Sequence, residues 1–284
     1  MPAASLTSVR SDRVTSVRRL HDRSGRRKSG RFVVEGPQAV SAALASDVQV
    51  CDLFVDVEAA PAIQALADGS SCGITWATPS VLSAMGETST PQGILAVCRI
   101  PADPSLDDLL SRPGPVVLLD GVSDPGNVGT IIRTADAAGC AGIIAGTGCA
   151  DVYSGKVVRS TAGSLFHLPV IASLPLRDVV VAARASGRPV LALVGEGDAD
   201  LFTLPPATCQ DACWIVGSEA HGVDPGLQSA SDARVRIPMA GGAESLNAAV
   251  AGALALYVGN AIAGGQLQGS GTFGAAHRRP SHEG

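Results

Sequence analysis

Aromatic residues are scarce in this chain. Phe, Trp and Tyr make up 3% of it, against 46% hydrophobic residues in all. Its core must therefore be aliphatic, built from Val, Ile, Leu and Ala. The seven cysteines are scattered without a CxxC pair. The nearest two, Cys209 and Cys213, have no second pair to match them, which argues against a zinc ribbon or a disulfide framework and for reduced thiols in a cytoplasm. The five histidines are equally dispersed, so no metal is expected. Common phosphate and nucleophile signatures are missing as well. No Gly-Lys-Ser/Thr occurs, so there is no P-loop, and Gly155-Lys156-Val157 is the nearest approach. Gly146-Thr147-Gly148 follows a later strand and lacks the third glycine of a dinucleotide fingerprint, so it reads as a turn. Neither Ser164 nor Ser218 sits in a GxSxG pattern, which argues against a serine hydrolase. No apolar run follows the basic N-terminus, so a secretory signal is not expected there.

What the chain does have is one long stretch without charge, residues 246–263. It follows a strand expected over residues 234–237, ended by Pro238, and a loop containing Gly241 and Gly242. Ser245 is the expected N-cap of the helix. A helix apolar on every side must be buried by the protein, a partner subunit or a bilayer. The run is about long enough to span a bilayer. It is mostly Ala and Gly with two Asn, however, and no basic cluster closes either end. Burial in a core plus a subunit interface is the better reading.

Charge is distributed unevenly. The formal net charge is −5, yet nine of the 21 basic residues lie within the first 31, at Arg10, Arg13, Arg18, Arg19, Arg23, Arg26, Arg27, Lys28 and Arg31. Only Asp12 and Asp22 oppose them there. Such a segment on an acidic protein suggests a local anionic partner, most often nucleic acid; the alternative is a solvated arm.

Patterning divides the chain in two. After a flexible basic arm over residues 1–13, short strands and helices alternate over residues 14–100, with strands at 31–35, 50–55, 74–77 and 93–100 and a basic helix at 12–28. This predicts a small α/β domain. Residues 101–115 carry four prolines around a short acidic helix and read as a linker. A second α/β domain is expected over residues 116–263, with a mostly parallel sheet that opens on the continuous apolar run at residues 116–120. The Gly-, Ser- and Gln-rich tail, residues 264–284, is expected to be disordered. Ligands of open parallel sheets bind beyond the carboxyl ends of the strands. Three loops rich in Gly and small polar residues fall at such ends, at residues 120–129, 217–224 and 239–247. Together they predict a ligand crevice.

These loops also carry a resemblance. Asn127-Val128-Gly129 with Arg133, then residues 215–219 with Gly222, then Ile237-Pro238-Met239 with Ser245-Leu246-Asn247, resemble in order and spacing the three motifs of the SpoU/TrmH family. Its members are RNA ribose 2′-O-methyltransferases of the SPOUT class. The segment over residues 14–98 is similar to the family's N-terminal substrate-binding domain, which has a ribosomal-protein-like fold. The thiostrepton-resistance type of ribosomal RNA methyltransferase shares this layout, and the motifs do not separate it from other ribosomal RNA members.

The resemblance implies a C-terminal sheet with a deep trefoil knot, a rare exception to unknotted topology. It also implies S-adenosylmethionine bound in the knot, a homodimer and an RNA substrate. Gly217, Ile237, Leu246 and Met239 would line the cofactor site. Arg133 matches the family's catalytic arginine. An arginine is effectively always charged, so the roles expected of it are gripping a phosphate and stabilising a developing alkoxide. Asn127, Glu219, Ser245 and Asn247 match polar motif positions that could position the ribose or hold the loops, and Glu219 could pair with Arg133. Arg159, Arg26, Arg27, Lys28 and Arg31 are the expected RNA contacts. A transfer RNA substrate, or a non-catalytic RNA-binding or ribosome-assembly role on the same fold, is the alternative.

Overall fold

Short apolar runs alternating with helix-forming runs give two sheets, each covered by helices. The computed structural model describes residues 3–70 and 72–267, and most of the tail expected to be disordered lies outside the described residues. The first sheet contains β1 (Arg31–Glu35), β2 (Val50–Asp56), β3 (Ile74–Ala77) and β4 (Ile94–Arg99), in the order β1-β4-β2-β3. β4 is antiparallel to β1 and β2, while β2 and β3 are parallel. Five helices pack with it: α1 (Asp12–Arg18), α2 (Arg23–Ser29), α3 (Pro37–Ala45), α4 (Pro61–Asp68) and α5 (Pro79–Met85). The last three begin at proline, whose fixed φ suits a first helical turn and whose missing N–H has no partner to lose there.

Two features differ from the expectation. The single basic helix is broken into α1 and α2 by a tight turn at Arg19–His21, against which Gly25 packs so closely that a Cβ would lie 1.8 Å from the Arg19 carbonyl oxygen. The residues before α1, expected as a flexible arm, run beside β3. The amides of Ser5 and Leu6 donate to the Trp76 carbonyl at 2.9 and 3.0 Å, and Thr78 donates back to Leu6 at 3.2 Å.

The rest of the chain forms α6 (Leu106–Ser111), β5 (Val116–Asp120), α7 (Pro125–Ala137), β6 (Gly142–Gly146), α8 (Gly155–Ser160), β7 (Val170–Leu174), α9 (Leu176–Ala185), β8 (Val190–Leu193), β9 (Ala199–Asp200), α10 (Pro206–Cys209), β10 (Cys213–Gly217), α11 (Pro225–Ala230), β11 (Ala233–Arg236) and α12 (Ala248–Ala263). Its seven strands lie in the order β7-β6-β5-β10-β8-β11-β9 and every pairing is parallel. The central strands are buried on both faces, as their unbroken apolar runs require. From β5 the chain builds outward through β6 and β7, then returns to the far side. The direction reverses between β5 and β10, which is where an open sheet of this kind leaves a crevice.

The stretch expected as a linker is packed. Leu109 and Leu110 of α6 are buried with Val116, Ile144 and Val180. The buried Arg188 draws the neighbouring backbone in, donating to the carbonyls of Leu110, Arg112, Gly114 and Asp211.

The two sheets share an interior. Phe32 of β1 is fully buried, with its ring 4.9 Å from that of Tyr153 and 6.3 Å from that of Phe166. Arg26 crosses the same junction. Only 4% exposed, it donates to Asp151 at 3.0 and 2.7 Å and to the carbonyls of Leu20 and His21 at 2.7 Å each.

Helix α12 lies across α7 and β10. Gly259 meets the Trp214 ring, 2.9 Å from where a Cβ would stand, and Asn260 donates to the Ala138 carbonyl at 2.7 Å. Its other face is open, with Val250 48% and Tyr257 54% exposed. Among the described residues no helix is long and apolar enough to cross a membrane, and no group of three or more His, Cys, Asp or Glu could hold a metal.

Candidate active site

The first loop is shorter than its glycines suggest. Asp124 and Pro125 start α7 about one and a half turns before the expected position, because the Asp124 carboxylate accepts from the Asn127 amide at 2.8 Å. That amide, followed by the nearby Lys156, holds the Asp124 carboxyl below its usual range. Asn127 therefore stands on the first turn of a helix, and Gly129 is a packing residue: a Cβ there would lie 2.4 Å from that of Ser160 on α8.

The second loop folds back at the end of β10. Ser218 and Gly222 exchange backbone hydrogen bonds at 3.2 and 2.8 Å, and Gly222 takes a left-handed φ of 66°. A Cβ on Gly217 would lie 2.1 Å from the Gly222 carbonyl carbon. The loop is tied to β5 as well, since the Asp224 amide donates to Asp120 at 2.7 Å.

The third loop runs into α12. Its cap is Asn247, not Ser245: the Asn247 side-chain oxygen accepts from the amides of Ala249 and Val250 at 2.9 and 3.3 Å. The side-chain nitrogen of Asn247 donates to the Asn127 side-chain oxygen at 3.0 Å, and Asn127 in turn donates to Glu219. One directional relay of three polar side chains thus joins all three loops.

Beside this relay lies a cavity of about 540 Å³, within the range of small-molecule sites. Gly217, Glu219, Ile237, Met239, Ser245 and Leu246 all line it. The expected cofactor residues are brought together. A wall beyond the expectation is added by Gly195 and Glu196, in the loop after β8, while the first loop, residues 120–129, contributes no residue to the cavity lining. The signal is present in the sequence, since Gly195-Glu196-Gly197 follows an apolar strand just as the other three loops do. Glu196, Glu219 and Glu244 give the cavity acidic groups, its arginine, Arg234, is paired with Asp198 at 2.6 Å, and Leu193, Val216, Ile237 and Leu246 give it apolar ones. This donor set fits a cationic ligand with a flat apolar portion.

Other expected residues lie elsewhere. Arg133 is exposed on α7, outside the cavity lining, and has no ion-pair or hydrogen-bond partner among the described residues. Glu219 does not pair with it; one oxygen of that carboxylate accepts from Asn127. Two residues expected to contact RNA have their charges taken up within the chain. Arg26 is turned inward, with its donors taken by Asp151 and two carbonyls. Arg159 of α8 is held by Glu35 at 3.0 Å and Glu87 at 3.4 Å, so its charge is already compensated across the junction. Arg31 is exposed but lies 3.9 Å from Asp52. Arg27 and Lys28 are exposed, with no such partner among the described residues.

The geometry has counterparts among known proteins. Residues 114–257 match the SpoU rRNA Methylase family, and residues 11–96 match the MRM3-like substrate binding domain. The chain belongs to the SpoU rRNA methylase family. Within this family it is 37% identical over 253 residues to a 23S rRNA (guanosine(2553)-2′-O)-methyltransferase of Bacillus subtilis, covering 89% of this chain and 97% of the relative. A 23S rRNA (uridine(2479)-2′-O)-methyltransferase of Streptomyces viridochromogenes is 37% identical over 254 residues, 84% of this chain and 85% of the relative. Among solved structures, the SpoU methyltransferase AviRb of S. viridochromogenes in complex with AdoMet (S-adenosylmethionine) superimposes with a TM-score of 0.78 at 34% identity, covering 88% of this chain and 98% of that one. An AdoMet-bound rRNA methyltransferase of Sinorhizobium meliloti gives 0.80 at 31%, covering 89% and 96%.

The relay yields a first prediction for this SpoU member. Asn247→Asp keeps an oxygen to cap α12 but has no N–H to donate to Asn127. We expect folding stability in urea to stay within about 0.5 kcal/mol of wild type. Turnover should fall about tenfold, as the loss of one hydrogen bond implies. Equal losses of stability and turnover would mean that the residue serves only as a cap.

Proposed function

We propose that this chain methylates a ribose 2′-hydroxyl of ribosomal RNA with S-adenosylmethionine as methyl donor. The observation that carries this reading is one cavity at the carboxyl edge of a parallel sheet, lined by the second and third loops and the loop after β8, with the first loop joined to it through the Glu219–Asn127–Asn247 relay. When bound, S-adenosylmethionine supplies a methyl group on a positively charged sulfur. Leu193, Ile237 and Leu246 offer an apolar slot for its adenine, and the backbone of residues 217–223 offers amides and carbonyls for the ring edge. Glu196, Glu219 and Glu244 favour a cation by simple attraction.

A ribose hydroxyl is a poor nucleophile at neutral pH and must be aligned and helped to lose its proton. We assign alignment to the Asn127 relay. To Arg133, whose guanidinium has no partner among the described residues, we assign the neighbouring phosphate and the charge that develops on the oxygen. The exposed side of α12, with Val250 and Tyr257 flanking the half-buried Leu254, supports a homodimer. The reading carries with it the trefoil knot implied by the sequence motifs and a cytoplasmic setting, since the relatives act on bacterial 23S rRNA.

The test is a map of 2′-O-methylation across ribosomal RNA from cells with and without the gene. Loss of a ribose methyl at a 23S position is expected. An unchanged ribosomal RNA, or a change confined to transfer RNA, contradicts the proposal.

A further inference from the structure

A second cavity, of about 240 Å³, opens where α2 rests on the second sheet. Its walls are Arg23 and Arg27 on one side, and the carboxyl end of β6 with Cys149, Asp151 and Ser173 on the other. The one carboxylate in its lining, Asp151, is neutralised by the buried Arg26 at 2.7 Å, with its second oxygen accepting the Tyr153 amide at 3.0 Å. Nearby, Asp103 is turned to the Ala172 amide, and burial raises its carboxyl above the usual range. Arg23 and Arg27 are exposed and have no ion-pair or hydrogen-bond partner among the described residues. Arg26 thus acts as a peg that fixes the helix, and the side chains three before and one after it leave two uncompensated guanidinium groups over the cleft.

The cleft lies on the same edge of the sheet as the candidate cofactor cavity. The loop after β6 is tied to the loop after β5, Ala150 donating to the Val122 carbonyl at 2.9 Å and Cys149 to Leu119 at 3.2 Å. Neighbouring strands are about 4.8 Å apart, so β6 and β10, with β5 between them, are separated by about 10 Å. A polyanion crossing this edge would meet both sites within a few nucleotides.

We propose that this cleft seats a backbone phosphate of the RNA substrate, gripped by Arg23 and Arg27, close in sequence to the ribose that is methylated. This rests on the function proposed above and extends it. Guanidinium groups suit phosphate through paired N–H donors. A contact of this kind sets register and orientation, not base identity. Neither motif nor charge alone singles out Arg23; its place over the cleft does.

The test compares wild type, Arg23→Gln/Arg27→Gln and a control, Arg18→Gln/Arg19→Gln, which removes two exposed charges outside the cleft lining. Methylation rates are measured against RNA concentration at several salt concentrations, with calorimetric titration of S-adenosylmethionine in parallel. For the cleft variant we expect KM for RNA to rise at least tenfold and the salt dependence to flatten by about 0.7–0.9 for each phosphate that is no longer neutralised. S-adenosylmethionine affinity should match wild type, which also reports that the variant is folded. The control should shift KM several-fold less. Equal shifts in the two variants, or an unchanged KM in the cleft variant, overturn the proposal. Arg23→Lys/Arg27→Lys should recover most of the affinity if charge at the cleft is the cause, and its failure to recover any counts against it. A wild-type protein that neither binds the donor nor methylates RNA would instead overturn the functional reading itself.

Discussion

Gly217→Ala is expected to lower S-adenosylmethionine affinity by at least a hundredfold. The added Cβ would lie 2.1 Å from the Gly222 carbonyl carbon, 2.3 Å from its oxygen and 2.3 Å from the Val223 nitrogen. All three are backbone atoms, so no rotamer change relieves the contact. On the strand side Gly217 is held in register with Asp120 of β5 and cannot retreat. The strain must therefore open the turn that Ser218 and Gly222 close. That turn lines the cavity and carries Glu219, the end of the polar relay. Overpacking of this kind costs about 1–3 kcal/mol in stability, so the protein should remain folded. Gly252→Ala serves as a control, because its Cβ would meet only Val216 and Ile131 side chains at 3.4 Å or more. Calorimetry on both variants, with thermal unfolding alongside, checks the prediction. If Gly217→Ala binds the donor as wild type does, the cavity is not the donor site.

Arg133→Ala should behave in the opposite way. It is expected to lower the single-turnover methylation rate by about 10²–10³, the usual effect of removing a donor that stabilises developing negative charge. Cofactor affinity should be unchanged within error, because Arg133 is outside the cavity lining. Its exposure and its lack of partners among the described residues also mean that stability should change by less than about 0.5 kcal/mol. Arg133→Lys keeps the charge but not the two-pronged donor geometry, and should recover only part of the rate. A normal rate in the Ala variant would remove Arg133 from the mechanism. A loss of rate matched by a loss of donor affinity would give it a structural role.

Much of this arrangement is legible in the amino-acid sequence because the second sheet is parallel and buried. Such strands must be continuously apolar, so residues 116–120 and 214–216 stand out. Loops at their carboxyl ends show themselves by Gly and small polar residues. The legible part ends where distant charges meet. Arg26 and Arg159 look like solvated cations in a basic or loop context. Their partners, Asp151 for one and Glu35 with Glu87 for the other, come from the opposite domain. Nothing local signals those pairings. The start of α7 is obscured for a different reason: glycines at 126 and 129 suggest a loop, yet the Asp124 cap and Pro125 outweigh them. Residue type alone does not separate Ser245 from Asn247 as the cap of α12, since Ser and Asn cap about equally well. Asn247 takes the place because its second side-chain atom also bonds Asn127, a contact 120 residues away in the chain.

The most direct measurement is a crystal structure determined after soaking with S-adenosylmethionine. The account predicts donor density between Gly217, Ile237 and Leu246, with its sulfur toward the side where Asn127 and Arg133 stand on α7. Density in the junction between the two sheets instead, or none at saturating donor, would contradict it.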